Sequence, residues 1–244
     1  MLASLPMYDL PELRAATDAL WQAVARQLGV VLPLTRAADF MAPWRDDQLL
    51  FSQTCGYPFT HEFAGRLTYV ATPCYDADGC DGPRYRSLIF AREKVPLIAL
   101  RGAVAAVNTP ESMSGMLALR LVFEERVAPL FRERVMTGSH VASLAAVKAG
   151  TADVCACDCV TAALLRRHRP EALEGLVEIA RSPLVPGLPF VTRAGDPARL
   201  RAAVTAALAD PDLTSTREAL LLQAIADIGA AAYDVIPALE KSLD

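Results

Sequence analysis

The pattern that most constrains this chain is the repeated switch between short apolar runs and stretches with helical spacing. Apolar runs at 2–5, 30–34, 49–51, 67–71, 87–91, 103–107, 154–157 and 177–180 have the length of strands, and another strand is expected near Val135. Between them, apolar residues recur at three- and four-residue steps. Leu13, Ala16, Leu20, Val24 and Leu28 form such a series, opened by Asp9, Pro11 and Glu12 and closed by Gly29. Helices are expected at 114–125, at 140–149 up to Gly150, and at 160–167. In the C-terminal third they are expected at 197–209, 215–226 and 231–241. Strands alternating with helices define an α/β protein with mainly parallel sheets. Two segments read as crossings between lobes. One is the turn-rich stretch 76–84, with Gly79, Gly82 and Pro83; the other is marked by Pro183, Pro186 and Pro189.

Composition narrows the function. With 244 residues, 53% of them hydrophobic, the chain buries a substantial core, which excludes intrinsic disorder. The net charge of −4 gives no general attraction to nucleic acid or to an anionic membrane surface. The mean hydropathy of +0.26 comes from evenly spread alanine and leucine. No apolar run approaches the roughly 18 residues that span a bilayer, so membrane insertion is not expected. The N-terminus shows no basic segment followed by an apolar run, so the sequence as written is expected in the cytoplasm. If the native N-terminus lies further upstream, the expectation becomes periplasmic. Six cysteines fit a reducing compartment. Cys155, Cys157 and Cys159 alternate along an apolar stretch and are expected on one face of a strand as buried free thiols. Cys55, Cys74 and Cys80 supply no CxxC pair and no cysteine/histidine spacing, so neither metal nor cofactor is expected. The start of a calcium loop at Asp76 and Asp78 fails at Asp81, where glycine is needed, and at Ser87, where glutamate is needed.

Several strand ends carry polar groups, and in an α/β sheet ligands bind at the carboxyl ends of parallel strands. The segment from Asn108 to Gly115 joins a strand to a helix and holds Ser112, Ser114 and Gly115. Two hydroxyls beside a helix N-terminus make an anion site; the same residues also read as a serine cap with a second serine beside it. Ser139 and His140 open the next helix, where His140 is either an oxyanion donor or an ordinary residue of the capping region. Tyr8 follows the first strand, and Thr54 and Tyr57 follow the strand at 49–51. Asp158 ends the cysteine-rich strand on the face opposite the thiols. It is either a carboxylate facing the ligand or the cap of the helix beginning near Val160. No phosphate-binding glycine loop, GxSxG elbow or HExxH motif occurs.

At these loops the chain resembles the substrate-binding proteins of phosphate, phosphite and phosphonate ABC importers. The matching pieces are SLPMYD, LLFSQTCGYPF, TPCYDADGCDGPRYRSLIFAR, VNTPESMSGMLALR, GSHVASLAAVKAGTADVCACDCV and SPLVPGLPFVT, in family order over roughly residues 1–195. The resemblance implies a type 2 periplasmic-binding fold: two α/β lobes, a hinge and a ligand cleft. Lobe 1 would be 1–95 completed by 188–244, and lobe 2 would be 96–187. It implies a small oxyanion ligand (phosphate, phosphite or an alkyl- or aminoalkylphosphonate) and an ABC permease as partner. Ser112, Ser114, Gly115, Ser139 and His140, with Tyr8, Thr54 and Tyr57 from lobe 1, would hold the oxyanion. Asp158 would face a ligand amine or a protonated oxygen. Three features depart from the family: no export signal, a short chain, and Pro186-Gly187 where a further polar contact is usual. The competing expectation is a soluble biosynthetic enzyme on the same fold, with His140 and Asp158 as acid and base.

Overall fold

A computed structural model describes residues 1–124 and 130–243. The chain folds as two compact units. The first comprises Met1–Asp76 and Pro186–Tyr233, and the second Ala77–Val185 and Asp234–Asp244. These bounds differ from the expected ones. Ser87–Ala91 pairs with Val154–Asp158 on one side and Val177–Arg181 on the other, so it belongs to the second unit. The first crossing therefore falls at the turn-rich 76–84 stretch and not near residue 95. The final residues join the second unit through the helix Val235–Lys241, where Glu240 pairs with Arg120 at 3.7 Å.

In the first unit a five-stranded sheet runs in the order Leu2–Ser4, Leu49–Gln53, Phe190–Thr192, Thr68–Tyr75, Leu222–Ala226. The helices Arg14–Leu28 and Pro197–Ala209 pack against each other, and the second also contacts Thr68–Tyr75. Trp21 stacks on Phe51 at 5.7 Å, and Phe51 meets Phe190 at 5.0 Å. All three are almost fully buried, and each large apolar side chain so placed contributes about 1.5–3 kcal/mol. Gly29 ends the first long helix in the left-handed region, and its N–H reaches the carbonyls of Ala25 and Arg26. Asp9 does not cap that helix; its carboxylate takes Arg36 instead.

Two expected elements of this unit change. Residues 30–34 form no strand, only a bridge from Leu34 to Ala3. Pro33 removes a ladder donor, Val31 is fully exposed, and the Trp21 indole occupies the Leu32 carbonyl at 2.6 Å. The helix expected over 215–226 stops at Ala219. The chain turns at Leu221, whose φ is 55°, and Leu222–Ala226 becomes an edge strand against Thr68–Tyr75. Short apolar runs fit either period, and here tertiary pairing decides.

The second unit has its own five-stranded sheet, ordered Glu133–Met136, Val104–Val107, Val154–Asp158, Ser87–Ala91, Val177–Arg181. Its core gathers Ile89, Val107, Leu119 and Val154 around the edge-to-face pair Phe123 and Phe131. The expected parallel pairing holds for the first three strands. The others are antiparallel, as are most pairs in the first unit, so both sheets are mixed. Helical crossovers within a unit impose parallel pairing, whereas Ser87–Ala91 arrives from the other unit and Phe190–Thr192 follows the return crossing, free to run the other way. The three parallel strands end at one sheet edge, where the loop 108–112, the turn 137–139 and Asp158 lie.

Candidate oxyanion site

The helix after Asn108 begins as a π-helix, Met113–Leu117, before becoming α-helix over Ala118–Val122; its expected end at Glu125 lies outside the described residues. Ser112 caps it. Its Oγ accepts the Gly115 N–H at 2.9 Å, and its carbonyl accepts the Leu117 N–H at 3.0 Å, five residues on. Such π-turns widen a helix and recur at functional sites. Gly115 is demanded by a close approach: a Cβ there would come 1.8 Å from Oδ1 of Asn108. That oxygen is buried and has no hydrogen-bond partner. Asn108 was not singled out from the sequence. Its position directly after the strand VAAV was the available signal, but the orphaned oxygen shows only in three dimensions.

A buried hydrogen-bond chain runs from this loop into the sheet. Ser112 Oγ and Ser114 Oγ lie 3.5 Å apart, Ser114 Oγ is 2.7 Å from Nε2 of His140, and Nδ1 of His140 is 3.0 Å from the Ala156 carbonyl. The polarity follows from the far end. A carbonyl only accepts, so Nδ1 carries the proton. His140 keeps some solvent exposure as a residue, yet burial of its ring pushes its pKa down to about 4, with the Ala156 bond opposing. The ring is therefore neutral at pH 7, Nε2 accepts, and Ser114 donates to it. Ser112, whose oxygen already accepts from Gly115, is then the donor in the long 3.5 Å contact to Ser114, and its proton is free to turn to a ligand oxygen instead. The loop thus offers one hydroxyl donor, the first N–H groups of a helix, and two oxygens, Ser114 Oγ and Asn108 Oδ1, that accept.

The flanking residues have structural work. Ser139 is exposed and caps the helix His140–Lys148 by accepting from Ala142 N–H at 3.1 Å. Gly138 N–H donates to the Asn108 carbonyl and Thr137 Oγ1 to the Val107 carbonyl at 3.1 Å, which fastens the two loops together, while Thr137 Oγ1 also pairs with Ser143 at 2.6 Å. Asp158 is buried, and its Oδ1 accepts from Val160 N–H at 2.7 Å and Thr161 N–H at 3.0 Å. It caps the helix Cys159–His168, as one of its two sequence readings held. Cys159 accordingly starts that helix and does not share a strand face with Cys155 and Cys157.

Tyr8, Thr54 and Tyr57 belong to the first unit. Tyr8 holds φ at 63°, unusual for an aromatic residue, and its ring meets Tyr75 edge-on at 5.1 Å. Gln53 Nε2 donates to the Tyr75 hydroxyl at 3.1 Å and to the Leu188 carbonyl. Thr54 is fully buried and bonds the Cys55 carbonyl. Tyr57, in the short helix Gly56–Thr60, stacks flat on His61 at 3.8 Å. Among the described residues no His/Cys/Asp/Glu group has the geometry to hold a metal, and no helix is long and apolar enough to cross a membrane.

Two α/β units, one carrying a wired serine–histidine loop at a helix start, define a type 2 binding-protein fold. The chain belongs to the family of ABC transporter phosphonate periplasmic substrate-binding proteins, which it matches over residues 2–234. Solved structures with this fold include PhnD1 from Prochlorococcus marinus in complex with methylphosphonate, 14% identical, with a TM-score of 0.78 over 99% of this chain and 97% of that one. A binding protein component of an ABC phosphonate transporter from Pseudomonas aeruginosa is 16% identical, with a TM-score of 0.76 over 100% and 95%. A Xanthomonas citri protein bound to chloride ion is 19% identical, with a TM-score of 0.75 over 100% and 96%. No curated protein sequence matches the chain.

Proposed function

We propose that this protein binds a small phosphonate-class oxyanion at the Ser112–Gly115 loop and presents it to an ABC permease. The observation that carries the reading is the buried chain Ser112–Ser114–His140–Ala156 beside the orphaned Asn108 oxygen. Ser112 and the first helix N–H groups donate to ionised oxygens. Ser114 and Asn108 accept, which suits a ligand that still carries a P–OH or another donor. Tyr8 and Tyr57, after strands of the first unit, are that unit's candidate ligand contacts. Family membership supports a non-catalytic role. The local geometry agrees: His140 gives its ring nitrogens to Ala156 and Ser114, and Asp158 gives Oδ1 to helix N–H groups.

Calorimetry with methylphosphonate, phosphite, phosphate and sulfate tests the reading. The monoprotonated phosphorus oxyanions are expected to bind well ahead of sulfate, which has no proton to offer at neutral pH. Equal affinity for sulfate, or no binding of any of the four, overturns it.

A further inference from the structure

Cys80 lies in the turn-rich crossing, and Cys159 is the first residue of the helix after Asp158. Their sulfurs are 3.6 Å apart although 79 positions separate them in the chain. We propose that these two thiols form an intramolecular disulfide by exchange with a glutathione-class disulfide, making the turn at 77–81 a redox modification site.

The turn is built around the pair. Gly79 lies directly on Cys159: a Cβ at Gly79 would stand 2.8 Å from the Cys159 Cβ, and its φ of 107° also favours glycine. Asp78 is clamped by both terminal nitrogens of Arg181, at 2.7 and 2.9 Å. Cys80 N–H closes the turn on the Ala77 carbonyl at 2.9 Å. The residues on either side of the contact are thereby fixed. The sulfurs stand about 1.5 Å beyond a bonding distance of about 2 Å, a gap that rotation of the half-buried Cys80 side chain would close. Cys155 and Cys157 are fully buried in the strand, and burial pushes the Cys155 thiol up to about 12. Those thiols stay inert. The Cys159 thiol is also raised, first by its hydrogen bond with Cys80 and then by burial, which assigns it the second step.

The exchange balances in two steps. Cys80 thiolate attacks one sulfur of the oxidised glutathione, forming a mixed disulfide and releasing one glutathione thiolate. Cys159 loses its proton to solvent and attacks Cys80 Sγ, forming the protein disulfide and releasing the second glutathione. The protein loses two hydrogens and two electrons, and the glutathione disulfide gains them. The product ties the 76–84 crossing to Cys159, next to Asp158 and three positions beyond the Ala156 carbonyl that orients His140.

The test incubates the intact protein in a glutathione buffer of about tenfold disulfide excess, counts thiols and maps non-reduced peptides by mass spectrometry. Loss of two of the six thiols, a peptide joining Cys80 to Cys159, and a melting temperature raised by about 5 °C or more are expected. Cys80→Ser, at a half-buried turn position, keeps the fold and abolishes the paired loss. A stable glutathione adduct on Cys80 with Cys159 still free, no thiol loss, or the same paired loss in Cys80→Ser would each overturn the proposal.

Discussion

The polar loops of the two units are built by different means. In the second unit three parallel strands end side by side, and the groups beyond them are joined by hydrogen bonds among buried atoms. In the first unit the corresponding residues are held by ring contacts, Tyr8 on Tyr75 and Tyr57 on His61. A wired loop fixes which atoms donate and which accept, and so discriminates among ligands by charge and protonation. A ring contact fixes a surface and discriminates less by charge and protonation. Substitutions in the second unit should therefore move affinity and ligand ranking together, and those in the first should move affinity alone.

The largest effect is expected from Ser112→Ala combined with Ser114→Ala. Ser112→Ala removes a donor to an ionised oxygen, about 1.5–3 kcal/mol, and Ser114→Ala removes the acceptor for the ligand's P–OH, about 0.5–1.5 kcal/mol, so methylphosphonate affinity measured by calorimetry should fall about tenfold or more for the first and severalfold for the second. Tyr57→Phe should lower the same affinity by about threefold at most and leave the ligand ranking intact. A larger loss from Tyr57→Phe than from the serine pair would reverse the contrast between the units.

Acidification tests the wiring itself. His140 titrates near 6.5 when unfolded and near 4 in the fold, because burial penalises its charged form. The unfolded chain therefore takes up the proton first. Stability contributed by the neutral ring is intact above about pH 6.5 and drains as the pH falls toward 4, by on the order of 3 kcal/mol. The carboxylates of Asp78, lowered by Arg181, and Asp153, lowered by the Val104 N–H, titrate below this window. Urea unfolding at pH 7 and pH 4.5 should show the loss in the wild type and lack it in His140→Gln. An equal loss in both would place the titrating group elsewhere.

How much of this was legible beforehand varies with the physical cause. Strand–helix alternation revealed the α/β class and the second unit's three parallel strands, since those rest on local periodicity. Strand directions set by crossings, such as Phe190–Thr192 and Ser87–Ala91, left no periodic mark. Neither did the edge strand Leu222–Ala226, whose apolar run also suits a helix. Ser112, Ser114 and His140 were visible as polar residues at element starts. Asn108 became part of the site only through its contact with Gly115, a through-space relation.

Gly115→Ala sharpens the comparison at closer range. The added methyl meets Asn108 Oδ1 at an impossible distance, so either the Asn108 side chain or the π-turn shifts, at about 1–3 kcal/mol of stability. Methylphosphonate affinity should fall with it. Unchanged affinity despite lost stability would show that the Asn108–Gly115 contact serves only packing.

Asp158→Asn is expected to have the smallest effect and bears most directly on the second unit's logic. Its carboxylate oxygen Oδ1 accepts two helix N–H groups, and the amide oxygen of asparagine accepts the same bonds, since both residues rank alike as caps. Stability should change by a few tenths to about 1 kcal/mol. The neutral amide removes a negative charge near the loop without altering the donors and acceptors of Ser112, Ser114 and Asn108. Ranking among methylphosphonate, phosphite and phosphate should therefore hold between pH 5 and 8, with at most a small uniform gain in anion affinity. A selective loss of aminoalkylphosphonates in this variant would instead make Asp158 a ligand contact and divide the site's selectivity between the serine–histidine chain and the end of the neighbouring strand.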